Sequence, residues 1–169
     1  MRRLIIVGII AAAIVAGIWF VVQAANRPAD PYFAPSDAGF EEQAFSIAAP
    51  GGSSDEHCAL LATTAEQRSR GLMGRRDLGG YDGMIFRFDR ESTTPFTMSR
   101  TLIPLSIAWF DASGELVDQA EMAPCPEAVD CPSYQADRPY LYALEVAQGG
   151  LDELGVRTGS HLVLGSGCA

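Results

Sequence analysis

The sequence predicts an α+β domain, a compact antiparallel β-sheet curled into a partly closed barrel with two short helices, preceded by one transmembrane helix. Three observations carry this. Seven short, mostly alternating apolar segments separated by turn residues lie between His57 and Leu164, as in small closed sheets. A pair of threonine-led capping boxes and a glycine-stopped Leu151-Asp-Glu-Leu154 turn mark the helices. An uncharged run of nineteen residues, Leu4 to Val22, is close to the roughly 20 a helix needs to cross hydrocarbon.

Arg2 and Arg3 precede that run and the next basic residue is Arg27, so the amino end is held in the cytoplasm and the rest is exported. Residues 1–25 read as a single-pass anchor in the cell membrane. A signal peptide cleaved near Val22-Gln23-Ala24, which would leave a secreted protein, is the alternative; the length favours the anchor. Residues 26–42, which open on the proline-rich NRPADPYFAPS, read as a flexible linker. Residues 43–169 read as a single extracytoplasmic (periplasmic) domain, a size that suits one core.

Within the domain, His57 to Ala62 (HCALLA) is the first predicted strand. Thr63 and Thr64 then offer overlapping capping boxes with Glu66 and Gln67, opening a short helix that Gly71 and Gly74 end early. After the turn LGGYDG, Met84, Phe86 and Phe88 alternate with Ile85 and Arg87 and give a strand with one apolar face. Thr94 to Met98 and Leu102 to Phe110 give two more, the second interrupted at Pro104. Both faces of Leu105 to Phe110 are mostly apolar, which places that strand centrally. Asp111 to Gly114 turns into a strand from Glu115 to Ala120. Tyr140 to Val146 and His161 to Leu164 complete the set, with the helical turn Leu151 to Leu154 between them.

Four cysteines in an exported domain imply disulfides, with three pairings open. Cys125 and Cys131 enclose five residues and form the easiest bridge, contributing about 2 kcal/mol by loop closure. That leaves Cys58 with Cys168, a bridge that would clamp the domain's ends together. A metal site is disfavoured, because there is no CxxC and the only histidines are His57 and His161. Beyond Val22, ten Arg face twenty-one Asp and Glu, a formal charge of minus eleven, so the phosphate neutralisation that drives nucleic-acid binding is missing. All twelve basic residues are Arg, which removes Schiff-base and lysine-base chemistry.

The stretch RSRGLMGRRDLGGYDGMIFRFDRESTTPFTMSRTLIPLSIAWFD, Arg68 to Asp111, together with Leu144-Glu145, resembles the bacterial and archaeal domain of unknown function 192 family. That family's pattern is an Arg, Gly-Leu-Met, an Arg, Gly-Met-(Leu/Ile)-Phe, a Phe-Trp-Met-Lys-Asn-Thr-like strand and a late Leu-Glu. Arg68, Gly71, Leu72, Met73, Arg75, Gly83, Met84, Phe86, Phe96, Met98, Thr101, Leu105, Asp111, Leu144 and Glu145 stand where the resembled pattern expects them. Thr97, Ser99, Arg100 and Ser106 depart from it, replacing its Trp, Lys, Asn and Asp. The resemblance implies an α+β, barrel-like architecture, assigns no activity, and matches Cys125 to Cys131 to a cysteine-bearing loop of many bacterial members.

Arg68, Met98, Arg100, Asp111 and Glu145 are the candidate ligand-binding residues. Glu145 shares a strand face with Leu141 and Ala143, where a carboxylate is costly to bury unless paired. Arg68 is the natural partner, and a bridge between them tying helix to sheet is the expected role of the pair. Arg100 could restore the charge of the missing Lys only if a bulge or turn re-aims it. No nucleophile with a base, paired carboxylates, metal cluster, GxSxG, HExxH or P-loop is evident. The sequence therefore favours a membrane-tethered binding module for a small molecule, glycan or peptide, with no cofactor and no metal. Two alternatives are an envelope hydrolase using Glu145 or Asp111 as general acid or base, and an accessory protein docking on another envelope or membrane protein.

Overall fold

The computed structural model describes residues 39–168. The expected anchor and most of the expected linker lie outside the described residues, among which no helix is long and apolar enough to cross a membrane. The element order is β1 (Glu41–Ala49), β2 (Gly52–Ser53), β3 (His57–Ala62), α1 (Ala65–Arg70), β4 (Gly83–Ser92), β5 (Phe96–Thr97), β6 (Leu105–Phe110), β7 (Leu116–Met122), β8 (Ser133–Tyr134), β9 (Tyr140–Ala147), α2 (Gly150–Glu153) and β10 (His161–Leu164).

The main sheet runs β10-β1-β3-β4-β9-β6-β7, with β2 paired on β1 and a separate β5-β8 ribbon. It curls until its two edges meet at one end. There Leu116 N–H donates to Ser160 O and Leu162 N–H to Gly114 O, both at 2.8 Å, beside a Glu115–His161 bridge. The curled, partly closed sheet with two short helices is as the sequence predicts.

Two features differ from that expectation. First, the sheet is mixed, because β3 and β4 pair in parallel (Leu60 opposite Met84, Ala62 opposite Phe86). The chain leaves β3, crosses through α1 and the following loop, and re-enters in the same direction, as a helical crossover allows. Second, β1 was not anticipated, since only Phe45 and Ile47 among alanines and polar residues mark it. Pairing on both sides defines it: Ile47 lies opposite Leu162 of β10 and Phe45 opposite His57 of β3. The predicted Thr94–Met98 strand shrinks to β5, held by β8 (Phe96 opposite Tyr134).

The α1 start follows the second capping box. Thr64 Oγ1 accepts from Gln67 N–H at 3.1 Å while Gln67 Oε1 accepts from Thr64 N–H at 3.0 Å. Gly71 stops the helix at φ 47°, where a Cβ would also press on the Phe86 ring at 3.3 Å.

Both faces of the central strands are buried, which is why β6 is apolar throughout and wholly buried. One face packs Phe45, Ile47, Leu61, Ile85, Phe110 and Leu144 with Leu151 of α2 and Val156 beyond it. The other packs Leu60, Met84, Phe86, Ile107 and Trp109 under Leu72, Met98 and Met122. This second face holds the candidate site.

Gly83 lets β4 and β9 approach at that site. A Cβ there would sit 2.3 Å from Glu145 O and 3.0 Å from Val146 Cγ1. Gly83→Ala is expected to cost about 3 kcal/mol, because backbone rather than a flexible side chain must give way. The urea midpoint of unfolding checks this; an unchanged midpoint would mean that β9 shifts freely.

Candidate functional site

The site is a cleft of about 900 Å³ between α1, the outer half of β4 and the segment from Thr94 to Thr101, with Glu145 at its base. It opens because β4 stops pairing regularly with β9 at Arg87, resuming only at Ser92 opposite Tyr140. The alternation read from the sequence then turns Phe86 and Phe88 to this side, and Phe96 meets Phe86 edge to face with centroids 5.1 Å apart.

Tyr140 anchors the far wall. It is fully buried, its ring packs edge to face on Phe88 at 5.3 Å, and its hydroxyl donates to Thr94 O. Desolvation pushes that hydroxyl up to about 12, so it remains a proton donor to the wall. Behind the wall, Arg100 N–H donates to Cys125 O at 2.9 Å and Cys125 N–H to Thr101 O at 3.2 Å. The Cys125–Cys131 disulfide therefore pins the loop that buttresses Ser99 to Thr101. The second bridge is Cys58–Cys168.

Glu145 lies on β9 opposite Met84 of β4 and Ile107 of β6, on the apolar cleft face. It is 5% exposed, and no hydrogen bond or ion pair to its carboxyl forms among the described residues. Burial alone pushes its pKa up to about 8, so the carboxyl is mostly protonated at neutral pH.

The expected Arg68–Glu145 bridge is absent among the described residues. Arg68 Nη1 donates to Thr63 O and, at 2.9 Å, to Arg87 O, and its guanidinium lies 4.8 Å over the Phe88 ring. Arg68 still ties helix to sheet, but through backbone carbonyls and an aromatic face. The carbonyls at the ends of β3 and at the β4 irregularity need donors, and the fork geometry of guanidinium supplies them.

Of the five candidates, Arg68 and Glu145 line the cleft. Met98 is buried in the core beneath it, and Arg100, at φ 57°, stands at the turn the sequence reading required but is not among the lining residues. Asp111 lies elsewhere, four residues beyond Ile107 on β6, roughly 13 Å at the rise of a strand. Its carboxylate accepts from Ser113 N–H at 2.8 Å, Ser113 Oγ at 2.7 Å and Glu115 N–H at 3.0 Å. Although burial raises its pKa, the Ser113 and Glu115 bonds hold it below the usual carboxylate value. It is a turn residue, and it does not pair with Glu145 for acid–base chemistry.

Phe86, Phe88, Phe96 and Thr101 belong to the site although they were not among the candidates. The period-2 alternation of Met84, Phe86 and Phe88 beside Glu145 is the signal that could have found the first two. A smaller hollow lies around His57, Asp82 and the Cys58–Cys168 bridge. There Glu42 and the two sulfurs lie within 4.8 Å of one another, but the sulfurs are joined in the disulfide and offer no thiolate.

The fold recurs in solved structures. A protein from Sinorhizobium meliloti 1021, described as a candidate transcription regulator, superposes with a TM-score of 0.66 at 23% identity, covering 76% of this chain and 98% of its own. A protein of unknown function from Novosphingobium aromaticivorans DSM 12444 superposes with a TM-score of 0.64 at 25% identity, covering 82% and 99%. No curated protein matches the chain. The DUF192 family pattern, described as an uncharacterized ACR, matches residues 47–164, from β1 to the last residue of β10, and so takes in both walls and the base of the cleft. This chain belongs to the DUF192 family.

Proposed function

We propose that this protein is a binding module whose cleft takes a small molecule, glycan or peptide, and that it works tethered to the cell membrane with its domain on the extracytoplasmic side. The observation that carries the reading is Glu145, a buried carboxyl with no partner among the described residues, at the base of an aromatic-walled cleft. Binding sites commonly set a few convergent polar groups in an apolar hollow of this size. A carboxyl kept at the centre of an apolar sheet face with no partner costs stability, and a ligand that satisfies it would recover that cost. The membrane part rests on the Leu4–Val22 run, the arginines before it and the two disulfides.

A thermal-shift screen of the chain in detergent against sugars, peptidoglycan fragments, amino acids and short peptides tests the reading. A ligand at 100 times its Kd is expected to add about 2.7 kcal/mol, and Phe96→Ala should weaken that response. Silence across the panel would sink the binding-module reading. Protection of the domain from protease in intact cells, lost on permeabilising the outer envelope, is the expected result for the tether. Cleavage only after lysis of the inner membrane would reverse the assigned orientation.

A further inference from the structure

The cleft carries enough chemistry to name a ligand class, which rests on the binding-module reading above. We propose that it takes a small primary ammonium compound with an apolar body, the cationic head on the Glu145 carboxylate and the body against Phe86, Phe88 and Phe96.

Three observations lead there. Glu145 is 95% buried on a sheet face between Met84 and Ile107, lines the cleft, and has no partner among the described residues. The side chain expected to neutralise it, Arg68, is committed to Thr63 O, Arg87 O and the Phe88 ring. Finally, the chain beyond Val22 carries a formal charge of minus eleven, which concentrates cations around it.

The proton balance follows. With no cation beside it, burial keeps the Glu145 carboxyl protonated at neutral pH. An arriving R–NH3⁺ pairs with the carboxylate, and the carboxyl proton leaves to solvent: one proton is released per ligand bound, and no covalent bond changes except O–H. The other charged groups lining the cleft are Arg68 and Arg70 of α1 and Asp89, Arg90 and Glu91 of β4, and no histidine lines it.

Titration calorimetry of the chain in detergent at pH 7, with benzylamine and its neutral counterpart benzyl alcohol, tests the inference in two buffers of different ionisation heat. Benzylamine is expected to bind roughly tenfold or more tightly than the alcohol, as a charge-assisted bond in a buried site should, with close to one proton released. Glu145→Gln should abolish the preference and the proton release while keeping the weaker alcohol binding, and Phe96→Ala should weaken both probes alike. Equal affinity for the two probes, or a preference that survives in Glu145→Gln, overturns the ammonium assignment and leaves the binding cleft standing. No heat from either probe at millimolar concentration overturns the assignment too. The cleft itself falls only if the thermal-shift panel is also silent.

Discussion

Replacing Cys58 and Cys168 by serine is expected to lower the free energy of unfolding by about 5 kcal/mol, the loop-closure value for a bridge of this span. The bridge joins residues 110 apart, so in the oxidised chain it removes far more freedom from the unfolded state than any local link. Its native position adds to the effect. Cys58 is on β3, and the segment that carries Cys168 runs along β1, with Gly165 N–H donating to Ala44 O at 2.8 Å. The bridge thus spans β1 and holds β10, the edge strand that meets β7 at the seam of the barrel. The serine pair at Cys125 and Cys131, with a separation of 6, should cost only about 2 kcal/mol. Urea unfolding of the two double variants beside the parent decides it. A larger loss from the short loop than from the long one would show that native-state contacts, and not closure entropy, set the order.

The second large effect is a loss of stability with rising pH that Glu145→Gln removes. The carboxyl has an ordinary value of 4.5 and is pushed up to about 8 by burial in the fold. Between these limits the folded state holds a proton that the unfolded chain has released, so stability is fully present below about pH 4.5 and declines as pH rises toward 8. The slope is roughly 1 kcal/mol per pH unit, several kcal/mol over the window. Asp111 acts with the opposite sign and in a different window: its value is depressed, so its contribution is lost as pH falls below the ordinary carboxylate range. Glu145→Gln should therefore match the parent near pH 5, exceed it in Tm near pH 8, and show a flatter profile between. Parallel profiles for parent and variant would mean that water or a bound cation already stabilises the ionised carboxylate. A saturating ammonium ligand should flatten the parent's profile in the same way, which connects this measurement to the proposed ligand.

Much of the fold was legible because it depends on near neighbours in the chain. The alternation of Met84, Phe86 and Phe88, the two-faced apolar run from Leu105 to Phe110, the Thr64–Gln67 capping box and Gly71 each act within a few residues. β1 was not legible, because Phe45 and Ile47 make a weak period on their own and the strand exists through partners more than a hundred residues away in β10. The parallel pairing of β3 and β4 was hidden for a related reason: alternation says which residues share a face, not which way the neighbouring strand runs.

The candidate site divides along the same line. Alternation along β9 marked Glu145 as a carboxyl on an apolar face, and the family resemblance put forward Arg68 as its expected partner; composition and spacing did not choose Arg68. Spacing did separate a short cysteine pair from a long one. What Arg68 bonds to, and so whether Glu145 is neutralised, was decided by the tertiary structure. Backbone carbonyls at Thr63 and Arg87, brought together by the β3–α1–β4 crossover, capture the guanidinium before the carboxyl can. The sequence by itself determined which residues are apolar, charged or constrained at each position of a strand or helix, since those are local properties. Only the tertiary structure decided that Asp111 closes a turn, that Met98 lies beneath the cleft, and that Glu145 has no partner at its base among the described residues. Burial and pairing depend on which distant segments share the same few ångströms, and no local pattern encodes that.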